Sequence, residues 1–466
     1  MTLLIETPPG RESERRYVVD LTVRQWLGLD YTLRIGASPG TVRITISGTS
    51  GAVRMPDVLF AMTDRDWLSP SSLPATPPAS QQLPDWLPAN PVGSELPALY
   101  GASGPAATRD GSHSLAFGAD LFGAIFFLVT RYEELVIKQR DRHDRFPAGE
   151  SAAGRAACLD RPLADEYAQL LAAGLRAMWP SLDVPAPAAG RVVLTHDIDL
   201  SFASRHGGAW RLGRGIAADI VKRGDLPLAA RRATSFLRSR LGRYPRGDPF
   251  DTYDELMQIS ERHGLSSAFY FLAIRSDGPT GGDYGLDELW VRRLLRRIAD
   301  RGHEIGLHTS YASMGSRDAV ATEFALLREA AAAAGVEQDA WGARAHFLRW
   351  QPSSWETWEA AGLQYDSSVG FAEMPGFRCG TGRPFHVYDL ARRTPLRLVE
   401  RPLLVMDATL FSYQQLPYAE ALDTALQVAA RSRRFGGDAV ILWHNSSLVS
   451  REQRSTYQAL VAGLTR

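Results

Sequence analysis

The chain has 466 residues, with 52 Lys or Arg balanced by 52 Asp or Glu, so its formal charge is zero. That length points to two or three domains, and 45% hydrophobic with 22% charged residues excludes wholesale disorder. The balanced charge gives no basis for a nucleic-acid partner, and with only Cys158 and Cys379 a disulfide framework or a cysteine-rich zinc site is excluded and a reducing compartment fits.

Met1 to Thr7 is briefly apolar but runs into Pro8, Pro9 and a charged stretch. It has neither the basic start nor the small-residue cleavage site of a signal peptide, and a cytoplasmic location is expected. Residues 17 to 61 alternate apolar and polar positions as strands do, in Tyr17 to Val23 and in Val42 to Ser47. Residues 69 to 105, rich in Pro, Ser and Ala, read as an extended connection. Helical patterns follow at about Ala119 to Lys138 and Leu163 to Met178. Within the first, Leu121 to Val129 is the most apolar run, but it falls far short of the roughly 20 residues of a membrane helix and predicts a buried one. Pro180 and Pro185 to Pro187 mark a linker, so a smaller α+β domain is expected over 1–188.

From 189 to 466 short apolar strands alternate with amphipathic helices, the pattern of a parallel α/β sheet or barrel. The strand candidates are Arg191 to Asp197, Ser267 to Ile274, His303 to His308, Ala343 to Trp350, Gln364 to Ser368, Leu398 to Met406 and Ala439 to His444. Residues 203–247 interrupt this rhythm as a basic helical insertion. Its Arg-rich faces suit solvent or peripheral contact with an anionic membrane surface.

In such folds reactive side chains sit at the C-terminal ends of strands. Here those ends read Thr195-His-Asp-Ile-Asp199, Gly302-His-Glu-Ile-Gly-Leu-His308, Arg344-Ala-His-Phe-Leu-Arg349, Tyr365-Asp-Ser-Ser368 and Trp443-His-Asn445. Carboxylate with imidazole is a zinc-type ligand set, and an Asp beside an Arg with a separate His supplies a base and an acid. The constellation points to a hydrolase.

These segments resemble the motifs of the polysaccharide deacetylases, carbohydrate esterase family four: T-F-D-D-G, G-H-E-I-G-N-H-T-x-x-H, R-x-P-Y and L-x-H. Thr195 to Asp199, Gly302 to Thr309, Arg344 onward and Ile441 to His444 match them in order. The match is nearest to a bacterial branch with an extra N-terminal domain, T-H-D-V-D in the first motif and an R-Y-E-E segment, here Arg131 to Glu134. The resemblance implies a distorted (β/α)7 barrel, a divalent metal, usually zinc, a carbohydrate substrate and removal of acetyl groups from N-acetylated sugars. By position, Asp197 corresponds to the catalytic base, Asp199 and His308 to metal ligands, Arg344 to the base-orienting arginine and His444 to the general acid.

The sequence departs from this pattern at Ala312, where the family has its second metal-binding His, and in the spacing of Asp197 and Asp199. These two aspartates share one face of a regular strand, so their roles are interchangeable at this stage. His346 is the first choice for the missing ligand and Asp366 the second. His196 should face away, and His303, at the start of its strand, reads as structural. Cys379 would line the pocket mouth or lie buried and inert, and Trp350, Trp443 and Tyr311 would stack on sugar rings or belong to the core. Beside the hydrolase reading stand a catalytically inactive glycan-binding protein, suggested by Ala312, and a scaffold acting through 203–247.

Overall fold

The computed structural model describes the whole chain except residues 39, 87–93, 112, 206–207, 277 and 279. Near the N-terminus a six-stranded mixed sheet has the order Tyr31–Ile35, Leu3–Thr7, Thr41–Ile46, Ala52–Pro56, Ser114–Phe117, Ala107–Asp110. Helix Leu163–Met178 covers two of its strands and packs on helix Leu121–Val129. Every side chain of Leu121–Val129 is buried, as its apolar run predicts. Among the described residues no helix is long and apolar enough to cross a membrane. The connection expected over 69–105 carries a small sheet of Glu95–Ala98, Ala79–Gln82 and Gly104–Pro105, and its residues 87–93 lie outside the described residues.

Two expectations for this half fail on identifiable physics. Tyr17 to Val23 is not a strand: an α-helix over Glu12–Val19 continues as a wider π-helical turn over Asp20–Trp26. Tyr17, Val18, Val19, Leu21, Val23 and Trp26 are all buried, while the charged Glu12, Arg16, Asp20 and Arg24 recur every four residues on the open side, so the segment has the period of a helix and its apparent alternation is local. The helix expected from Ala119 to Lys138 breaks after Val129 and resumes over Tyr132–Val136. Between them Arg131 adopts a left-handed conformation, φ 54°, and its buried guanidinium pairs with Glu133 and Glu134, each at 2.8 Å.

The strand-helix alternation after residue 188 forms one nine-stranded sheet. We number its strands β1 (Val192–Ile198), β2 (Ser267–Leu272), β3 (Glu304–Thr309), β4 (Gly342–Ala345), β5 (Tyr365–Asp366), β6 (Phe385–Asp389), β7 (Thr394–Glu400), β8 (Val405–Met406) and β9 (Ala439–Leu442). Their spatial order is β6-β7-β5-β4-β3-β2-β1-β9-β8. All neighbours are parallel except β6 with β7. The ladders thus form one line of nine paired strands, and among the described residues no ladder closes it into a ring, so of the distorted (β/α)7 barrel implied by the resemblance the structure shows the mixed α/β sheet. The two sides of this line are joined through the segment expected as one strand, Leu398 to Met406. Its first part, β7, pairs with β5, and its last part, β8, pairs with β9 at the other side of the sheet. Arg401 N–H donates to the Asp366 carbonyl (2.8 Å) and Leu404 N–H to the Val440 carbonyl (3.2 Å), while Pro402 between them has no N–H to continue a ladder.

The basic insertion is a helical hairpin, α1 (Ala209–Val221) against α2 (Leu226–Arg240), leaving from the C-terminal end of β1. The two halves of the chain share one continuous buried core. Buried ion pairs also join them: Arg378 to Glu134 at 2.6 Å and Arg383 to Asp165 at 3.0 Å. Burial alone would raise the Glu134 carboxyl, but the guanidiniums of Arg378 and Arg131 outweigh it and hold it below the usual carboxylate range. The Arg131 to Glu134 segment is therefore a buried joint between the halves.

Candidate metal centre

Because the sheet is parallel, its strand ends bring distant segments to one rim. Asp197 and Asp199 end β1, His308 lies near the end of β3, Arg344 is in β4, His346 follows β4, Asp407 follows β8 and His444 follows β9. All six residues expected to form the site, Asp197, Asp199, His308, Arg344, His346 and His444, lie together there.

The centre of the group is His308. Its Nδ1 lies 2.9 Å from the Arg344 carbonyl, which only a ring N–H can donate to, so in the neutral ring Nε2 carries the free lone pair. That nitrogen faces Asp199 Oδ1 at 3.0 Å and His346 Nδ1 at 3.0 Å. His346 Nδ1 is in turn 3.5 Å from Asp199 Oδ1. The ligand atoms of Asp199, His308 and His346 all lie within 4.8 Å of one another, and Asp199 Oδ1 is buried without a hydrogen-bond partner. Two imidazole lone pairs and a carboxylate oxygen converging in this way suit a divalent cation with an open position left for water or substrate. Burial raises the Asp199 carboxyl, yet the surrounding imidazoles of His346, His308 and His444 outweigh it and keep it well below the usual range. Ala312 is exposed on the turn after β3, so the imidazole beside His308 belongs to His346. Asp366, the second choice, is buried against Ser368 and Glu400, and burial pushes its carboxyl up to about 6.

A second arrangement surrounds Asp197. Its Oδ1 is buried and unpartnered, 3.7 Å from Arg344 Nη1, which is also unpartnered. Arg344 is fully buried and fixed by Thr195 Oγ1 (3.1 Å) and Ser367 Oγ (2.9 Å). Across the cavity, His444 Nδ1 lies 2.6 Å from Asp407 Oδ1, while its Nε2 faces Asp199 Oδ2 at 3.5 Å. Burial lowers the His444 imidazole, but the charge and hydrogen bond of Asp407, helped by Asp199 and Asp197, carry it up to about 10. A cavity of about 180 Å³ opens onto Asp197, Asp199, His308 and His444.

The other sequence candidates lie elsewhere. His196 faces away, between the Trp443 carbonyl (2.7 Å) and Ser267 Oγ (3.3 Å), and burial lowers it to about 3. His303 Nδ1 accepts from Ser267 N–H at 3.0 Å, as a structural residue would. Cys379 is fully buried, with burial pushing its thiol up, so it does not line the mouth. Trp350 and Trp443 are 1% exposed and offer no face to a sugar, and Arg349 lies over the half-buried Tyr311 ring at 4.6 Å.

Two site residues escaped the sequence reading. Asp407 directly follows the strand segment that ends at Met406, so the strand-end rule applied one residue further would have found it. Arg145 carried no local signal, because it comes from the N-terminal half. It lines the cavity and donates to the Phe347 carbonyl (2.9 Å) and Tyr413 Oη (3.2 Å) while pairing with Asp141 (2.7 Å). Phe347 and Leu348 both have positive φ, 61° and 53°, a costly conformation for such side chains. Arg145 thus holds the strained turn that aims His346. Arg145→Met is expected to weaken divalent-metal affinity by about 10-fold to 100-fold, as read by competition with a chelating dye. An unchanged affinity would remove Arg145 from that role.

Residues 3–180 match the model of a family of unknown function (DUF7033). No curated protein matches the chain. Among solved structures it is similar to a protein from Mycobacterium smegmatis described as a polysaccharide deacetylase, at 18% identity over 61% of this chain and 89% of that one, TM-score 0.39. It is also similar to a mutant of a CE4 family pseudoenzyme with restored enzymatic activity, at 11% identity over 60% and 63%, TM-score 0.30. A third is a Bordetella bronchiseptica protein described as a polysaccharide deacetylase involved in O-antigen biosynthesis, at 14% identity over 55% and 72%, TM-score 0.28.

Proposed function

We propose that the protein is a metal-dependent N-deacetylase of an amino-sugar-containing polysaccharide, glycolipid or sugar precursor, acting in the cytoplasm. In this reading 1–188 is an accessory α+β domain and 189–466 a deacetylase-type domain whose sheet is a rolled, distorted barrel. The observation that carries the reading is the convergence of Asp199, His308 and His346 with an Asp197–Arg344 pair on one side and a His444–Asp407 pair on the other. The resemblance of four motifs in order supports it.

A divalent cation, zinc by this donor set, would polarise the acyl carbonyl and acidify a water. Asp197 accepts the proton of the attacking water. Arg344, buried and fixed by Thr195 and Ser367, lies against Asp197 and orients it. His444, kept protonated by Asp407, gives its proton to the departing amine nitrogen. The products are a free carboxylate and an amino sugar. A panel of N-acetylated sugars tests this directly: metal-loaded protein should release acetate and free amine in equal amounts from at least one of them. Saturable binding of those sugars without any release would instead favour the inactive glycan-binding reading.

A further inference from the structure

The hairpin of α1 and α2 projects from the rim that bears the site, and little of it is covered. Only Asp219 of α1 and Leu228, Ala229 and Ser235 of α2 are buried. Six of the fourteen large hydrophobic side chains exposed among the described residues fall in 210–241, namely Trp210, Ile220, Val221, Leu226, Leu237 and Leu241. Such a concentration of exposed apolar groups in a short segment marks a contact surface.

Charge says what kind of surface it contacts. Residues 203–247 hold eleven Arg or Lys and two Asp. Both acids are used internally: Asp219 is buried against Arg223 (2.6 Å) and Arg232 (2.7 Å), and Asp225 caps α2 by accepting from Leu228 N–H (2.9 Å). The exposed Arg211, Arg214, Lys222 and Arg238 have no ion pair among the described residues. At the tip Val221, 82% exposed, and Leu226, 64% exposed, flank Lys222 and Arg223. On the flank Trp210 is 73% exposed with Arg214 at 5.6 Å over its ring. A nucleic-acid backbone would match the cations but gain nothing from Val221, Leu226 or Leu237. Anionic headgroups above an acyl layer match both, and a lone Trp and a basic tip are what a bilayer interface selects.

We infer that the hairpin docks the protein on the surface of an anionic lipid bilayer, with Val221 and Leu226 entering the acyl boundary and the unpaired cations meeting lipid phosphates. The surrounding groups favour this: a cleft of about 660 Å³ beside the hairpin is lined by Arg243, Arg246 and Arg293, with its one acid, Glu288, paired to Arg205. The segments flanking the hairpin are tied to the rim, since Asp248 accepts from Ala203 N–H (2.7 Å) and Ser204 N–H (2.9 Å), and Arg205 pairs with Glu288 at 2.7 Å. Docking would therefore bring the rim that bears the site near the lipid. The inference is independent of the proposed reaction, because binding can be read without turnover.

Flotation of the full chain with phosphatidylcholine vesicles containing about one third phosphatidylglycerol tests it. Binding should be at least about ten-fold tighter than to pure phosphatidylcholine vesicles and should fall steeply between about 0.05 and 0.5 M salt. Two variants separate the contributions: Arg211→Glu/Arg214→Glu/Lys222→Glu should abolish the preference for anionic vesicles, and Val221→Ser/Leu226→Ser should weaken binding at low salt without changing the salt slope. These residues are exposed, so metal content and thermal midpoint should match the wild type. Equal binding to both vesicle types, or wild-type binding by the charge-reversed variant, would overturn the inference. So would tight binding of single-stranded RNA that the Val221→Ser/Leu226→Ser change leaves intact while vesicles stay unbound.

Discussion

Asp197→Asn is expected to lower acetate release by about 100-fold to 10,000-fold at the pH optimum, the range of a positioned general base. The side chain is 2% exposed, one of its oxygens is without a hydrogen-bond partner, and that oxygen lies 3.7 Å from the Arg344 guanidinium. Asparagine keeps the shape and removes both the charge and the basicity. Metal content should be retained, because the three ligand atoms within 4.8 Å belong to Asp199, His308 and His346, and kcat should fall far more than KM rises. If Asp197→Asn loses its metal while Asp199→Asn keeps it, the two aspartates hold each other's proposed roles.

The second large effect is expected at His444, where replacement by alanine should cost about 100-fold or more in turnover and leave the metal in place. The pH dependence follows from the pairing with Asp407. Burial disfavours the imidazolium, but Asp407 outweighs it and raises the pKa to about 10, so His444 is protonated at neutral pH. As a proton donor it is active below its pKa, and the rate should fall as pH rises through that value. This is the basic limb of the profile. Asp407→Asn removes the charge that raises the pKa, so the basic limb should move to lower pH by about one unit or more. In His444→Ala the limb should vanish. A basic limb that persists unchanged in both variants would place the acid elsewhere.

Much of the site could be read from the sequence because parallel strands put chemistry at their C-terminal ends. His308, His346 and His444 were each placed by that rule, and spacing alone put Asp197 and Asp199 on one face with His196 on the other. What escaped depends on long-range packing. Arg145 reaches the cavity from the other half of the chain, so no local pattern could announce it. Trp350 and Trp443 carry the residue type of a sugar platform, yet they are buried beneath Arg378 and Phe411 respectively. Tyr17 to Val23 reads as alternating only when taken alone, because the four-residue spacing of Glu12, Arg16, Asp20 and Arg24 that marks the helix extends beyond it on both sides. The course of Leu398 to Met406 turned on Pro402, whose missing N–H lets one segment serve both sides of the sheet.

Elemental analysis of purified wild-type, His308→Ala and His346→Ala proteins tests the central claim most directly. With one imidazole removed from a three-ligand centre, affinity should collapse while the fold, whose core lies elsewhere, stays intact. The account predicts close to one divalent metal per wild-type chain and little in either variant, with unchanged circular dichroism. A wild-type protein that binds no divalent metal when it is supplied, or variants that both keep full stoichiometry, would contradict it.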